Sequence, residues 1–231
     1  MRLPSNLRDA TFVERLNRFA ARLVCDGREV TAHLANSGRL EELLRPENPM
    51  FLSPAPDGTD RKTAFDLVLI EVGGTLVSAD ARLPNRLLKE AIESDRVPEF
   101  AGYESVRQEV SFGESRIDLM LSGTQGLCYI EVKSVTLVDE GVALFPDAPT
   151  ERGQKHMRSL KTAVQQGHRA AVVFVIQRAD ARALMPNRPA DPAFCDALQD
   201  AVAYGVEAYA YGCQVSRRRI GLSGRVQVRL A

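Results

Sequence analysis

The chain has only four cysteines, Cys25, Cys128, Cys195 and Cys213, and no two of them form a C-x-x-C pair. This argues against a zinc site and fits reduced, structural thiols in a cytoplasm. An excess of positive charge is lacking too: 30 Lys and Arg balance 30 Asp and Glu, for a formal net charge of zero. Without a whole-molecule field the chain does not coat nucleic acid indiscriminately, and DNA contact must come from a locally basic face. No segment approaches the unbroken apolar length of a membrane span, and the start, Met1 to Asn6, lacks an apolar core of signal-peptide length. A cytoplasmic location is therefore expected. Repeats and low-complexity tracts are also missing. What remains is 231 residues, 45% hydrophobic and 26% charged, enough to bury a sizeable core and to form two small domains.

The chemistry concentrates in one stretch. Ile117, Leu119 and Leu121 alternate with polar residues, as do Cys128, Ile130 and Val132, and Ser122-Gly123-Thr124-Gln125-Gly126 lies between them. That pattern predicts a β-hairpin. Folding about Thr124 and Gln125 sets Asp118 opposite Glu131, with Cβ atoms about 4.5–5.5 Å apart, and Lys133 shares the face because side-chain period is two. Adjacent carboxylates repel, so one tends to take up a proton unless a cation intervenes. Mg²⁺ or Mn²⁺ suits such hard oxygen ligands, and the ammonium can orient a water or stabilise a pentavalent transition state. Asp118 and Glu131 are thus expected metal ligands, and with Lys133 the catalytic set of a phosphodiesterase. The E-x-K pair alone also describes a solvated same-face ion pair.

Short strands dominate the first third. Phe19 to Val24 and Val30 to Leu34 flank Asp26-Gly27, and Phe65 to Val72 and Thr75 to Val77 flank Gly73-Gly74; both connections are type I′ or II′ hairpin signals. Arg39 to Leu44 reads as a short helix, Phe51-Leu52 as a further strand, and a small barrel is plausible. A boundary falls near Asp80 to Pro84. Beyond it Asn85 can cap a helix with Leu87, Leu88, Ala91 and Ile92 on its apolar face. Strands at 106–110, 117–121 and 128–132, a helix at about 150–166 and a buried strand at 171–176 complete an αβββαβ order. A helix near 192–204 and a strand around 206–211 extend it.

Further candidates surround this core. Glu90, on the polar side of the first helix, is a possible metal ligand and otherwise a solvated charge; Glu109 could also point inward. Gln154, Arg158 and Lys161 recur along one flank of the long helix and suit phosphates, as do Arg61-Lys62 and Arg217 to Arg219 as backbone clamps. His156 could be a general acid, although packing accounts for it better, and His33 and His168 have no stronger case.

Five segments together resemble one family: R-I-D-L-M-L at 116–121, Y-I-E-V-K-S-V-T-L at 129–137, F-P-D-A at 145–148, T-E-R-G-Q-K-H-M-R-S-L at 150–160, and D-G-R-E-V-T-A-H-L-A-N-S-G-R-L at 26–40. They are similar to the sugar fermentation stimulation protein A (SfsA) family, with N-R-L-L-K-E-A-I at 85–92 extending the likeness over nearly the whole chain. The family's Cys-Pro and Thr are Leu34-Ala35 and Ser37 here, and its aromatic residue after Arg-Lys is Thr63. The resemblance implies α/β (α+β) architecture: an N-terminal OB-like β-barrel at 1–82, then a PD-(D/E)xK nuclease-like domain at 83–231 with a central mixed sheet flanked by helices. It also implies DNA binding, and it carries the catalytic pattern onto Asp118, Glu131 and Lys133. The expected function is metal-dependent endonuclease chemistry on DNA. The alternatives are a non-enzymatic DNA-binding regulator of sugar metabolism genes and an interaction module without DNA affinity.

Overall fold

The computed structural model describes residues 1–55 and 63–230. Five strands close an N-terminal barrel: β1 (Arg8–Asn17), β2 (Ala20–Cys25), β3 (Arg28–His33), β4 (Met50–Pro54) and β5 (Phe65–Val72). They run in the order β3-β2-β1-β4-β5, and parallel pairing of β3 with β5 shuts the ring, leaving β6 (Thr75–Ser78) on its rim. Closure removes the edges that an open sheet exposes. Ala21, Leu23, Ala32, Leu34, Leu52 and Ile70 fill the interior. Both expected tight turns form, with φ of 50° and 72° at Asp26-Gly27 and 57° and 80° at Gly73-Gly74, as a type I′ turn requires.

Two features of this half differ from expectation. β1 escaped the pattern because Val13 and Leu16 face outward and the register shifts between Phe12 and Glu14, so alternation fails along it. The helix expected at Arg39 to Leu44 is a set of hydrogen-bonded turns, with Leu43 N and Leu44 N both donating to Leu40 O. Leu40 itself sits at φ 55°, a left-handed conformation that an α-helix does not propagate through.

The second half begins with α1 (Leu83–Glu93), followed by β7 (Ser105–Phe112), β8 (Ser115–Gly123), β9 (Gly126–Val135), β10 (Val138–Asp139) and β11 (Val142–Phe145). Then come α2 (Glu151–Gln165), β12 (Arg169–Ile176), β13 (Ala183–Pro186), α3 (Pro192–Ala203), β14 (Glu207–Val215) and β15 (Ile220–Val228). The sheet runs β10-β11-β13-β15-β14-β12-β9-β8-β7. The β7-β8-β9 segment is antiparallel, whereas β12 lies parallel between β9 and β14. Residues Ala170 to Ile176 are all fully buried, the unbroken apolar run that a parallel strand covered on both faces needs. Leu87, Leu88, Ala91 and Ile92 of α1 cover one face; Met157 and Leu160 of α2 with Phe194 and Leu198 of α3 cover the other. The αβββαβ order is present, while β10, β11, β13 and β15 go beyond it. Asn85 is not a helix cap: Arg82 holds that position and Asn85 lies in the first turn of α1, beside Pro84.

Polar contacts clamp the barrel to the second sheet. Ser78 N donates to Gln177 O at 3.0 Å, while the fully buried Gln177 donates through Nε2 to Asp80 O and Ser134 Oγ. Ala81 N donates to Ala35 O at 2.9 Å. Beside this seam Glu42 holds a buried Oε1 that has no hydrogen-bond partner. Burial pushes its carboxyl above the usual glutamate range, and the Asp147 charge adds to this against the opposing pull of Arg178 and Arg45. The folded state therefore holds a proton that the unfolded chain has already lost, so stability falls as pH rises through the window between the two values. Glu42→Gln removes that loss. Its melting temperature is expected to exceed that of the wild type at pH 7, with the gap closing below the ordinary glutamate pKa; a gap independent of pH in thermal melts would contradict this account.

Candidate active site

Asp118 occupies a gap in the sheet. The β8-β9 ladder pairs Gly123 with Gly126 at the turn and runs back to Leu119 with Ile130, where it stops one step short of Asp118 and Glu131. On the other side, β7 pairs Gln108 with Leu119 and Val110 with Ile117, but Glu109 and Asp118 are not paired. Glu109 there adopts φ 54°, a strained conformation for a residue with a side chain. The freed backbone donor on β9 is met by a side chain instead: Val132 N donates to Asp118 Oδ2 at 2.8 Å. Asn85 Nδ2 on α1 donates to Asp118 Oδ1, also at 2.8 Å. Both carboxylate oxygens are thereby aimed.

Glu131 and Lys133 follow on β9, nearly buried at 2% and 8% exposure. Lys133 Nζ donates to Glu131 Oε1 at 2.7 Å, and His156 Nδ1 on α2 contacts the same oxygen. Arg152 Nε approaches His156 Nε2 at 3.4 Å, which sets the ring with its Nδ1 side directed at Glu131. The other oxygen, Glu131 Oε2, is buried and unpartnered. Capping fixes the start of α2: Thr150 Oγ1 accepts from Gly153 N, and Thr150 N donates to Asp191, which also caps α3 through Phe194 N. The helix turn bearing Arg152 and His156 is thereby held against β9.

The two carboxylates are driven apart in acidity. Burial and the neighbouring Glu131 charge push Asp118 above the ordinary aspartate value, against hydrogen bonds from Val132 N and Asn85. Burial works the same way on Glu131, but the Lys133 charge and the His156 hydrogen bond outweigh it and leave Glu131 below its ordinary value. Asp118, Glu131 and Lys133 line one cleft of about 1050 Å³, with Asn85, Arg152 and Asp147 from the same half and Arg18, Phe19, His33 and Asn36 from the barrel. Among the described residues no group of three or more His, Cys, Asp or Glu is arranged to hold a metal. The donor set is instead two carboxylates, one with an orphaned oxygen. This fits a hard divalent cation that fills its remaining positions with water or phosphate oxygens.

Other expected site residues lie elsewhere. Glu90 is half exposed beside the Met1 ammonium at 3.6 Å and Arg96 at 3.5 Å, outside the cleft lining; Asn85 is the α1 residue that reaches the carboxylates. Glu109 is exposed and pairs with Arg116. Lys161 is drawn across to Asp200 on α3 at 2.8 Å and lies over the Tyr204 ring, so its charge is already matched. Gln154 is half-buried near Asp191, and Arg158 is exposed in a separate shallow cleft with Glu114 and Lys155. Arg61 and Lys62 lie outside the described residues. Arg217 pairs with Asp9 and stacks on Phe51. His33 does line the cleft, on its barrel wall, where it contacts Asp66, and His168 packs edge-on to Tyr129. The packing role expected of His156 understates its place. Its signal in the sequence was a polar residue on the stripe Gly153, Met157, Leu160 and Ala163 that α2 buries.

An OB-like barrel followed by a mixed sheet with helices on both faces, with Asp118, Glu131 and Lys133 at one cleft, defines the architectural class of this protein. The SfsA N-terminal OB domain matches residues 13–79, and the Sugar fermentation stimulation protein RE domain matches 82–219. A Sugar fermentation stimulation protein homolog of Desulforamulus reducens is 48% identical over 222 residues, covering 96% of this chain and 92% of that protein. One from Moorella thermoacetica is 48% identical over 229 residues, covering 99% of each. The structure of Pyrococcus furiosus SfsA in complex with Ca²⁺ superposes with a TM-score of 0.90 at 30% identity, over 99% of this chain and 98% of that one. The chain belongs to the sugar fermentation stimulation protein (SfsA) family.

Because His156 aims Glu131, its loss should weaken the grip on a cation beyond any effect on folding. His156→Ala is expected to lower Mn²⁺ affinity about 10–100-fold, as loss of a ligand-orienting partner does. His156→Asn, whose amide can replace the Nδ1 donor, should retain most of it. Equal affinities in calorimetric titrations of all three proteins would reduce His156 to packing.

Proposed function

We propose that this protein binds DNA and hydrolyses phosphodiester bonds with Mg²⁺ or Mn²⁺, 1–82 serving as the OB-like domain and 83–231 as the nuclease-like domain. The observation that carries this reading is the convergence of Asp118, Glu131 and Lys133 on one cleft, with Glu131 Oε2 left without a partner. That the Pyrococcus furiosus relative is in complex with Ca²⁺ supports a divalent cation here; Asp118 and Glu131 are the ligands this reading assigns to it. When bound, that ion supplies Lewis-acid polarisation of the phosphate and a bound water of lowered pKa.

The chain's own groups do the rest. Val132 N and Asn85 hold the Asp118 carboxylate in one orientation, while Lys133 and His156 hold Glu131 by a single oxygen and leave the other for ligation. Lys133 is then placed to orient the attacking water and to offset charge on the phosphorane oxygens. Water oxygen bonds to phosphorus as the bond to the leaving deoxyribose oxygen breaks; the attacking water gives up a proton to solvent and the leaving oxygen takes one from solvent. The saturation of Glu131 Oε1 by two donors favours a second reading, a DNA-binding regulator in which the cluster is structural.

Cleavage assays on single-stranded, duplex, flapped and branched DNA, with Mg²⁺, Mn²⁺ or chelator, separate the two. Asp118→Asn, Glu131→Gln and Lys133→Ala are each expected to lose cleavage about a thousandfold or more while remaining folded and bound to DNA, and a double substitution should lose little beyond a single one. A wild type that cleaves no DNA form with either metal would leave the regulator reading. Binding of the Asp118→Asn protein is expected to weaken with salt, with a log-log slope of about −0.7 to −0.9 for each phosphate that an Arg or Lys contacts. A slope near zero would remove Arg and Lys contacts to phosphate as the source of affinity.

A further inference from the structure

The turn from β1 to β2 brings Arg18 and Phe19 to the rim of the cleft that holds Asp118, Glu131 and Lys133. Phe19 is 50% exposed, the most exposed of the large apolar side chains among the described residues. A single exposed ring says little by itself. This one, however, stands on a backbone that is fixed in place. The Arg15 guanidinium donates to the carbonyls of Gly38 at 2.7 Å, Arg39 at 2.6 Å, Arg18 at 2.9 Å and Asn36 at 3.3 Å, binding the turn to the neighbouring barrel loop. Phe19 N donates to Asn17 Oδ1 and Leu34 N donates to Phe19 O, so the backbone carrying the ring is held on both sides. A rigid aromatic surface binds a flat partner at little ordering cost.

Across the cleft the reacting groups are recessed, Glu131 at 2% and Lys133 at 8% exposure. A phosphate must enter to meet them. Duplex DNA is stiff over about 150 base pairs and keeps its bases stacked inside, so its backbone does not readily dip into such a pocket. A single strand bends freely, and every base offers a π-face for an aromatic ring. Arg18, exposed beside Phe19, stands where the adjoining phosphate would pass.

We infer that Phe19 is the stacking platform for an unpaired base next to the scissile phosphate. The substrate is then DNA that is single-stranded, or locally unpaired, where it is cut. This rests on the phosphodiester reading above and narrows it to a substrate class.

The chain contains no tryptophan, so Phe19→Trp introduces a lone indole at the rim. In that variant, combined with Asp118→Asn and studied in chelator, single-stranded and flapped oligonucleotides are expected to quench the indole, whereas blunt duplex leaves it unchanged. Anisotropy of a labelled oligonucleotide follows binding in parallel. Phe19→Ala should weaken single-strand binding by about tenfold, and Phe19→Tyr should restore it. Single-strand affinity unaffected by Phe19→Ala, or an indole silent while the labelled strand binds, overturns the stacking site. Quenching by single strands alongside a wild type that cleaves nothing supports the stacking site and overturns only the hydrolytic reading.

Discussion

Everything at the cleft depends on a hydrogen bond that the sheet withholds from itself. In a continued β8-β9 ladder Val132 N–H would meet a carbonyl of β8, but here it meets Asp118 Oδ2, and the ladder ends at Leu119 and Ile130. The donor stays satisfied, so parting the strands carries little of the penalty of an orphaned buried amide. Strand β9 keeps its order because its other edge is paired with β12 through Glu131, Val132 and Lys133. One edge of β9 is thus anchored in the core while the other is released to present charge. The left-handed backbone at Glu109, directly across from Asp118, lies on the other side of the same release.

A buried Glu-Lys pair is weak support for stability, because desolvation offsets much of the attraction. Lys133 and His156, converging on one oxygen of Glu131, reduce that cost without removing it, as the unpartnered Glu131 Oε2 shows. A well-packed apolar trio in the same space would hold the fold at least as well. The unsatisfied oxygen, the strained Glu109 and the split carboxylate acidities all belong to Asp118 and the strands on either side of it. This clustering supports the hydrolytic reading proposed above.

How much of this was legible in the sequence followed from the range of the interactions involved. The hairpin turn at Thr124 and Gln125 and the αβββαβ order rest on period and turn chemistry, which act locally; the expected pairing of Asp118 with Glu131 does not form, because the ladder ends at Leu119 and Ile130, and the two meet as walls of one cleft. The family resemblance supplied the barrel where local pattern was thin. What escaped depends on tertiary contacts. β1 has outward Val13 and Leu16 whose exposure no window reveals, and Lys161 reads as a free cation until Asp200 arrives from another helix. Glu90 and Asn85 lie on the same helix, and only the path of β8 past α1 decides which of them faces Asp118. His156 was visible as a polar residue on an apolar stripe, but its partner lies 25 residues away on β9.

The barrel forms the second wall of the cleft, and its placement is tightly constrained. Gly38 sits against Asp147 of the opposite half so closely that a Cβ would fall 2.2 Å from Asp147 Oδ2. Asp147 Oδ2 also approaches Leu40 N at 3.5 Å, and Arg15 grips the Gly38 carbonyl from the other side. The same loop therefore does two jobs: it seats the barrel on the cleft wall and, through Arg15, it fixes the turn that bears Phe19. A shift of that loop would move the rim aromatic and the distance across the cleft together. On the proposed reading, the position a strand would take relative to Asp118 and Glu131 is set by the packing of Gly38 on Asp147 as much as by any residue that would touch the strand itself.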